Sequence, residues 1–165
     1  MMTLKLDDRD LKMLSILGEE GRISKAELAR RVNLSPDPCW ERLKRLERAG
    51  LITGYRAEIA LKKLAAHVVV FMAVELASHR GNDFQVFERS IERADEVVGC
   101  WAVGGGVDYI LQVVARDIDS YQRLVDRLLE AHVGITRYFT YVVTKPVKLL
   151  GKLPLEQLIE RQPEE

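Results

Sequence analysis

The hydrophobic period of the chain changes once, near His67, and that change limits the possible folds more than any single motif. Before it, apolar residues recur at steps of three and four, as on short helices; after it, β-rich apolar runs alternate with two helical stretches. Helices followed by a separate β-α-β pattern read as an α+β chain of two modules. We place the first at residues 1–58, a linker at 59–66, the second at 67–148 and a C-terminal tail at 149–165.

In the first module, Asp7 and Asp8 open a helix whose apolar face is Leu11, Leu14 and Leu17, widened by Met13 and Ile16, until Gly18 and Gly21 interrupt it. Ser24-Lys25-Ala26-Glu27 reads as a capping box for a short second helix that turns Leu28, Ala29 and Val32 inward. Ser35 is the next N-cap, with Pro36 at the first helical position and Pro38 still in the first turn. A third helix therefore spans about 36–49, with Cys39, Leu43 and Leu46 inward and Gly50 as its stop. Leu51 to Glu58 reads as two short extended pieces around Gly54, so the module is a winged helix-turn-helix.

That arrangement suits DNA because a major groove about 12 Å wide admits one helix, while the helix packed across it sets the angle of entry. Ser35 and the amides that follow it are placed for phosphate, and Arg42, Lys44, Arg45 and Arg48 supply cations, with Lys44 and Arg45 nearest the groove. Asp37 and Glu41 share the outer face. Trp40 falls one position off the apolar stripe, where it either covers the core edge or projects towards the groove. Taken singly, each arginine is equally well a solvated helix charge; taken together they point to nucleic acid.

The second module reads as a strand over 67–76, a helix over 82–94 with Phe84, Phe87 and Ile91 on one face, and a strand over 97–103. A strand over 109–115 follows, then a helix from Asp119-Ser120 with Tyr121, Leu124, Val125, Leu128 and Leu129 inward, and a last strand over 135–143. This β-α-β-β-α-β order is the ferredoxin-like pattern, an antiparallel sheet with both helices on one face. The first strand is apolar on both alternations, so the other sheet face calls for burial against a second copy, and a homodimer at least is expected. Gly104-Gly105-Gly106 enters a strand rather than a helix, which makes it a hairpin turn and not a dinucleotide loop. Asp108, just past it, either bonds its own backbone or meets a ligand.

Composition removes several classes of function. Of 165 residues 47% are hydrophobic and 30% charged, and no apolar run approaches the roughly 20 residues of a membrane span. The N-terminal residues are too acidic for a signal peptide, so we expect a cytoplasmic protein with no membrane partner. Lys plus Arg and Asp plus Glu both total 25, but residues 1–56 carry 12 basic and 9 acidic side chains (+3), and residues 57–165 carry 13 and 16 (−3). Zero net charge argues against a non-specific chromatin-like binder. Cys39 and Cys100 form neither a disulfide framework nor a zinc cluster; Cys100 reads as a small buried hydrophobe. His67, His79 and His132 lack metal spacing, Asp95-Glu96 reads as a solvated helix end, and no nucleophile comes with a base. No catalytic site, metal or cofactor is therefore expected.

Several segments together resemble the leucine-responsive/asparagine (Lrp/AsnC) family of prokaryotic transcription regulators. They include Leu6-Asp7-Asp8-Arg9-Asp10, Gly21-Arg22-Ile23-Ser24, Val32 through Trp40, Arg42 through Glu47, Gly50-Leu51-Ile52, Gly54-Tyr55, Gly105-Val107-Asp108-Tyr109 and Leu153-Pro154-Leu155. The resemblance covers nearly the whole chain. It implies binding to double-stranded DNA, assembly into dimers that build tetramers or octamers, and control by an amino acid or a derivative. It also implies an effector site between sensing domains of neighbouring dimers: Gly104, Gly105, Asp108 and Tyr109 of the glycine turn, with Thr140 and Tyr141 of the last strand. A carboxylate suits an α-amino group and bare loop amides suit an α-carboxylate. Gly104 and Gly106 make the turn richer in glycine than the family pattern. Cys39-Trp40 followed by Glu41-Arg42 leans towards members controlling catabolism of amino-acid-like compounds, such as ectoine. The tail from Pro154 implies a short helix at an assembly interface. The rival reading is an amino-acid-sensing regulatory subunit of an enzyme.

Overall fold

A computed structural model describes residues 5–149, 151 and 153–159. The chain divides into two compact units, one of residues up to Glu58 together with those from Lys148 onward, the other Ile59–Val147.

The first unit is built on α1 (Asp8–Glu19), α2 (Lys25–Arg31) and α3 (Pro36–Arg48). Asp7 caps α1 in a complete capping box: its carboxylate accepts from the Asp10 amide, and the Asp10 carboxylate accepts from the Asp7 amide. The box expected at Ser24 is only half present. Ser24 Oγ accepts from the Glu27 amide, but the Glu27 carboxylate turns forward to Arg30 and Arg31, whose charges outcompete a single backbone N–H. These bonds, from Arg30 and then Arg31, hold the Glu27 carboxyl at about 2. The core joins Met13, Leu28, Ala29, Val32, Cys39, Leu43 and Leu46. Met13, which the periodicity set at the margin of α1, is its buried centre, and Gly18 lies inside the helix instead of ending it.

The turn between α2 and α3 passes through Asn33 at φ 54, a left-handed angle that Asn tolerates, and α3 stops before Gly50 at φ 71. Leu51–Glu58 forms no strand ladder. Its place against the helices is held by Tyr55, whose hydroxyl donates to Glu47 at 2.9 Å. Burial, then that carboxylate, push the Tyr55 phenol up to about 12. Residues 59–66 are not wholly extended either, since α4 (Leu61–Leu64) makes one turn. In the tail, α7 (Leu155–Leu158) lies against α1, in a groove that includes Leu11 and Ser15, so the short helix expected there packs on its own unit; residues 160–165 lie outside the described ones.

The second unit is a four-stranded antiparallel sheet in the order β2-β3-β1-β4: β1 is Val68–Leu76, β2 Val97–Ala102, β3 Tyr109–Ala115 and β4 Ile135–Val142. Helices α5 (Gly81–Glu92) and α6 (Ile118–Glu130) cover one face, where Val70, Met72 and Val74 of β1 meet Phe87, Ile91, Tyr121, Leu124 and Leu128. Leu129 points outward, leaving the inward stripe of α6 to Tyr121, Leu124, Val125 and Leu128. The cap of α6 is Asp117, earlier than Asp119-Ser120: its carboxylate accepts from both the amide and the hydroxyl of Ser120. A carboxylate reaching forward three residues needs extended backbone at the cap, and Asp117 has it.

The Asp117 bonds predict an acid dependence. Ser120 first, then Arg116, lower its carboxyl from 3.8 to about 2, so its contribution to stability is complete above the ordinary aspartate range and fades as the pH falls from about 4 to about 2. Asp117→Asn keeps the cap shape without the charge. Urea midpoints measured from pH 5 to pH 2 will fall less steeply for this variant than for the parent.

Candidate nucleic-acid interface and effector site

The orientation of α3 is fixed by one buried carboxylate. Asp10 on α1 is fully buried and accepts from Arg42 Nη1 at 3.0 Å and Arg45 Nη2 at 2.5 Å, while Arg42 Nη1 also donates to Asp7 at 2.6 Å. Despite some desolvation, the Asp10 amide and Arg42 hold the Asp7 carboxyl below its usual range; Arg42 is raised in turn, by Asp7 and then Asp10. Arg42 and Arg45, both expected among the cations offered to DNA, are therefore committed to α1. Three residues apart on one helix, they straddle the carboxylate as adjacent positions on one stripe. Arg45 Nε is also buried, and among the described residues it has no acceptor.

The outward stripe of α3 carries Asp37, Glu41, Lys44 and Arg48 at helical spacing, with Arg48 Nε donating to the Lys44 carbonyl at 3.2 Å. Ser35 caps α3 through its backbone alone. Pro36 and Pro38 occupy the first and third helical positions, so an amide that a capping hydroxyl would use is missing, and the cluster of free N–H groups expected at this end reduces to that of Asp37. Trp40 is half-buried against the core and lies under two ammonium groups, Lys25 Nζ at 3.3 Å and Lys44 Nζ at 4.9 Å from its ring centre. Core cover, of the two readings open for Trp40, describes its inner edge. Lys25 escaped the sequence reading, since its only signal there was a place inside a capping motif.

In the second unit the glycine turn is a hairpin, with the Val103 amide donating to the Asp108 carbonyl and Gly105 alone among its glycines at a positive angle, φ 141. Asp108 does not cap its own turn. Its carboxylate accepts from the Leu76 amide at 2.7 Å and faces His79 Nε2 at 2.9 Å, joining the hairpin to the end of β1. Tyr109 turns into the helix-side core and donates to Glu88 at 2.8 Å; burial, then Glu88, raise its phenol well above the ordinary range. Thr140 and Tyr141, expected side by side, lie on opposite faces of β4 because neighbouring strand residues must. Thr140 pairs with Tyr121 of α6 at 2.7 Å, and Tyr141 is exposed on the open face. Gly104, Gly105 and Asp108 thus share one turn, from which the Tyr109 side chain turns into the helix-side core, while Thr140 and Tyr141 stand on β4, beyond β1 from that hairpin. His79 is the added polar neighbour.

Cys39 is buried, and burial raises its thiol. Cys100, expected inside, is exposed at the cleft between α5 and β2, because it lies on an edge strand; burial by its neighbours and then Glu88 raise its thiol too. Glu96, expected to be solvated, pairs with Arg127 at 2.6 Å. Among the described residues no three His, Cys, Asp or Glu side chains gather as a metal site, and no helix is long and apolar enough to cross a membrane.

Comparison with known proteins matches two successive stretches of the chain to two different domains. Residues 6–53 match the model of a winged helix-turn-helix DNA-binding domain, and residues 69–153 match that of the Lrp/AsnC ligand binding domain. The transcriptional regulatory protein DoeX of Halomonas elongata is 50% identical over 145 residues, 88% of this chain and 92% of that protein. The leucine-responsive regulatory protein of Escherichia coli is 36% identical over 151 residues, 92% of each. Among solved structures, a transcriptional regulator of Neisseria meningitidis in complex with L-Met superposes with a TM-score of 0.87 at 34% identity, covering 94% of this chain and 100% of that one.

The Asp10 cluster yields a prediction. Asp10→Ala removes the carboxylate partner of Arg45 and one of the two held by Arg42, and will cost roughly 3 kcal/mol, the lower end for breaking a buried ion pair, because both guanidinium groups reach solvent and Arg42 keeps Asp7. Urea unfolding followed by helical circular dichroism measures it.

Proposed function

Because the chain belongs to the Lrp/AsnC family of transcription regulators, we infer that it is a homo-oligomeric DNA-binding protein that reads a roughly palindromic operator and answers to an amino acid or a close derivative. The observation that carries the DNA half is the outward stripe Asp37, Glu41, Lys44 and Arg48 on a helix whose opposite side is fixed to α1 through Asp10. A stripe of long polar side chains on a rigid helix can enter a major groove, its cations meeting phosphate or guanine and its carboxylates meeting cytosine amino groups. Two copies related by a twofold axis would present two such helices about one helical turn apart. Arg42 and Arg45 then support the helix, while Ser35 offers a hydroxyl that its own helix does not use.

The effector half rests on Asp108 with Gly104 and Gly105. The Asp108 carboxylate bonds one amide and one imidazole, and a carboxylate has acceptor capacity beyond two partners, which suits an α-amino group; the loop amides beside it suit an α-carboxylate. Thr140 and Tyr141 cannot both line that site in one chain. Tyr141, on the open face, enters it only through a neighbouring copy. The methionine held by the Neisseria relative and the compatible-solute lean of the α3 sequence define the first compounds to try, L-methionine, L-leucine and ectoine.

Fluorescence anisotropy on a duplex from upstream of the gene, against a shuffled copy and across a salt series, tests this reading. Tight binding that prefers the native duplex and shifts with one of the three compounds is expected, and Asp108→Asn abolishes the shift while leaving DNA affinity intact. Equal, weak binding to both duplexes, with and without the compounds, would overturn it in favour of the sensor-subunit alternative.

Self-association is carried by the sheet face that no helix covers. Phe71 stands between Tyr141 on β4 and Gln112 on β3, Ala73 faces Phe139, and Ile110 faces Trp101, which is 50% exposed. A contiguous aromatic face of this kind marks an interface, and a second copy offers the same surface in return. Phe71→Asp places a charge at its centre, where a lost anchor of about 2–3 kcal/mol weakens the dimer roughly a hundredfold. Sedimentation velocity reads the change, and an unaltered distribution would remove this face from the assembly.

A further inference from the structure

Four arginines of the first unit are paired with carboxylates of their own chain. Arg30 and Arg31 pair with Glu27, Arg31 also with Glu20, and Arg42 and Arg45 with Asp10. Lys25 and Lys44 differ: among the described residues no carboxylate pairs with either, and both ammonium groups are drawn to one indole ring. Lys25 stands at the first position of α2, Trp40 and Lys44 one turn apart on α3, so the cluster spans both helices of the helix-turn-helix.

Two like charges held within a few ångström of one ring repel each other, and an indole face relieves only part of that repulsion. What satisfies such a pair fully is an anion supplied from outside. An aromatic platform also spares some of the entropy that two free lysine side chains would lose on binding.

We propose that Lys25, Trp40 and Lys44 form a phosphodiester site in which the two ammonium groups meet the DNA backbone and Trp40 acts as the positioning residue that holds them. The inference rests on the DNA-binding reading and adds to it a contact from α2, in Lys25, and a role for Trp40 that is not base reading. Its source of selectivity is charge and position alone, so it acts equally on operator and shuffled duplexes. Trp40 keeps its inner edge in the core. Only its exposed ring face belongs to the site.

The test is the slope of log affinity against log salt, which counts neutralised phosphates at about 0.9 per contact on duplex DNA. The full-length protein, Lys25→Ala, Lys44→Ala, the double variant, Trp40→Leu and Trp40→Phe are compared on both duplexes, with thermal melts to establish folding. We expect Lys25→Ala to lower the slope by about 0.9 and the double variant by about 1.8, to the same extent on both duplexes. Trp40→Leu keeps both charges yet lowers the slope, and Trp40→Phe restores it, which a purely structural Trp40 would not produce in folded protein. An unchanged slope for Lys25→Ala in a protein that still binds DNA overturns the site. Equal slopes for folded Trp40→Leu and Trp40→Phe overturn the positioning role. If the parent binds no DNA, the regulator reading itself fails, and this inference fails with it.

Discussion

The geometry of the DNA-binding unit depends on the contact between the Asp10 carboxylate and the two arginines it holds. A fully buried carboxylate is tolerated only when its oxygens are engaged, and here one accepts from Arg42 and the other from Arg45 and the Asp7 amide. The bonds cross from the first turn of α1 to the middle of α3. They therefore fix rotation of α3 about its own axis more tightly than apolar contacts do, since Leu43 and Leu46 can exchange rotamers but a forked guanidinium cannot shift without losing its acceptor. The direction in which Lys44 and Arg48 point follows from that constraint.

In the sensing unit the corresponding constraint is β1, whose two edges are both paired and one of whose faces lies under the helices. It pairs with β3 on one side and β4 on the other, places Val70, Met72, Val74 and Leu76 under the helices, and places Phe71 and Ala73 on the open face. A one-residue slip would exchange these sets and expose the core, so the register is strongly specified. Asp108 reinforces it at one end by accepting from the Leu76 amide. The residue proposed to bind the effector thus also terminates a central strand, and a ligand that drew on its carboxylate would act directly on the end of β1.

Most of the fold was legible because period and punctuation agree. Pro36 and Gly50 bracket α3, the alternation of β3 is unbroken, and the β-α-β-β-α-β order leaves few topologies for an antiparallel sheet. What was not legible depended on partners distant in sequence. Nothing local distinguishes Arg42 and Arg45 from Lys44 and Arg48; only the packing of α1, more than 30 residues away, turns the first two inward. His79 and Asp108 are likewise 29 residues apart, and no spacing rule connects them. Thr140 and Tyr141 are different, since strand alternation alone separates their faces once β4 is assigned. Ser35 is similar, because Pro38 at the third helical position visibly removes one of the two amides its cap could use.

The sorting of basic residues has a thermodynamic side. A cation already paired within its own chain gains little from phosphate, because binding exchanges one counter-charge for another, whereas an unpaired cation releases the ions that DNA had condensed. Formal charge therefore overstates the electrostatic footprint of this unit. Arg30, Arg31, Arg42 and Arg45 are internally compensated, so the affinity they would add is small, and in the phosphodiester site proposed above Lys25 and Lys44 would each supply more. Compensation of this kind keeps non-specific attraction low in a chain of zero net charge, so that discrimination between sequences falls to the few side chains on the outward stripe of α3. In the homo-oligomer proposed above, an effector that alters DNA affinity would act by favouring one arrangement of those stripes between subunits, and by linkage operator DNA would change the affinity for the effector by the same factor.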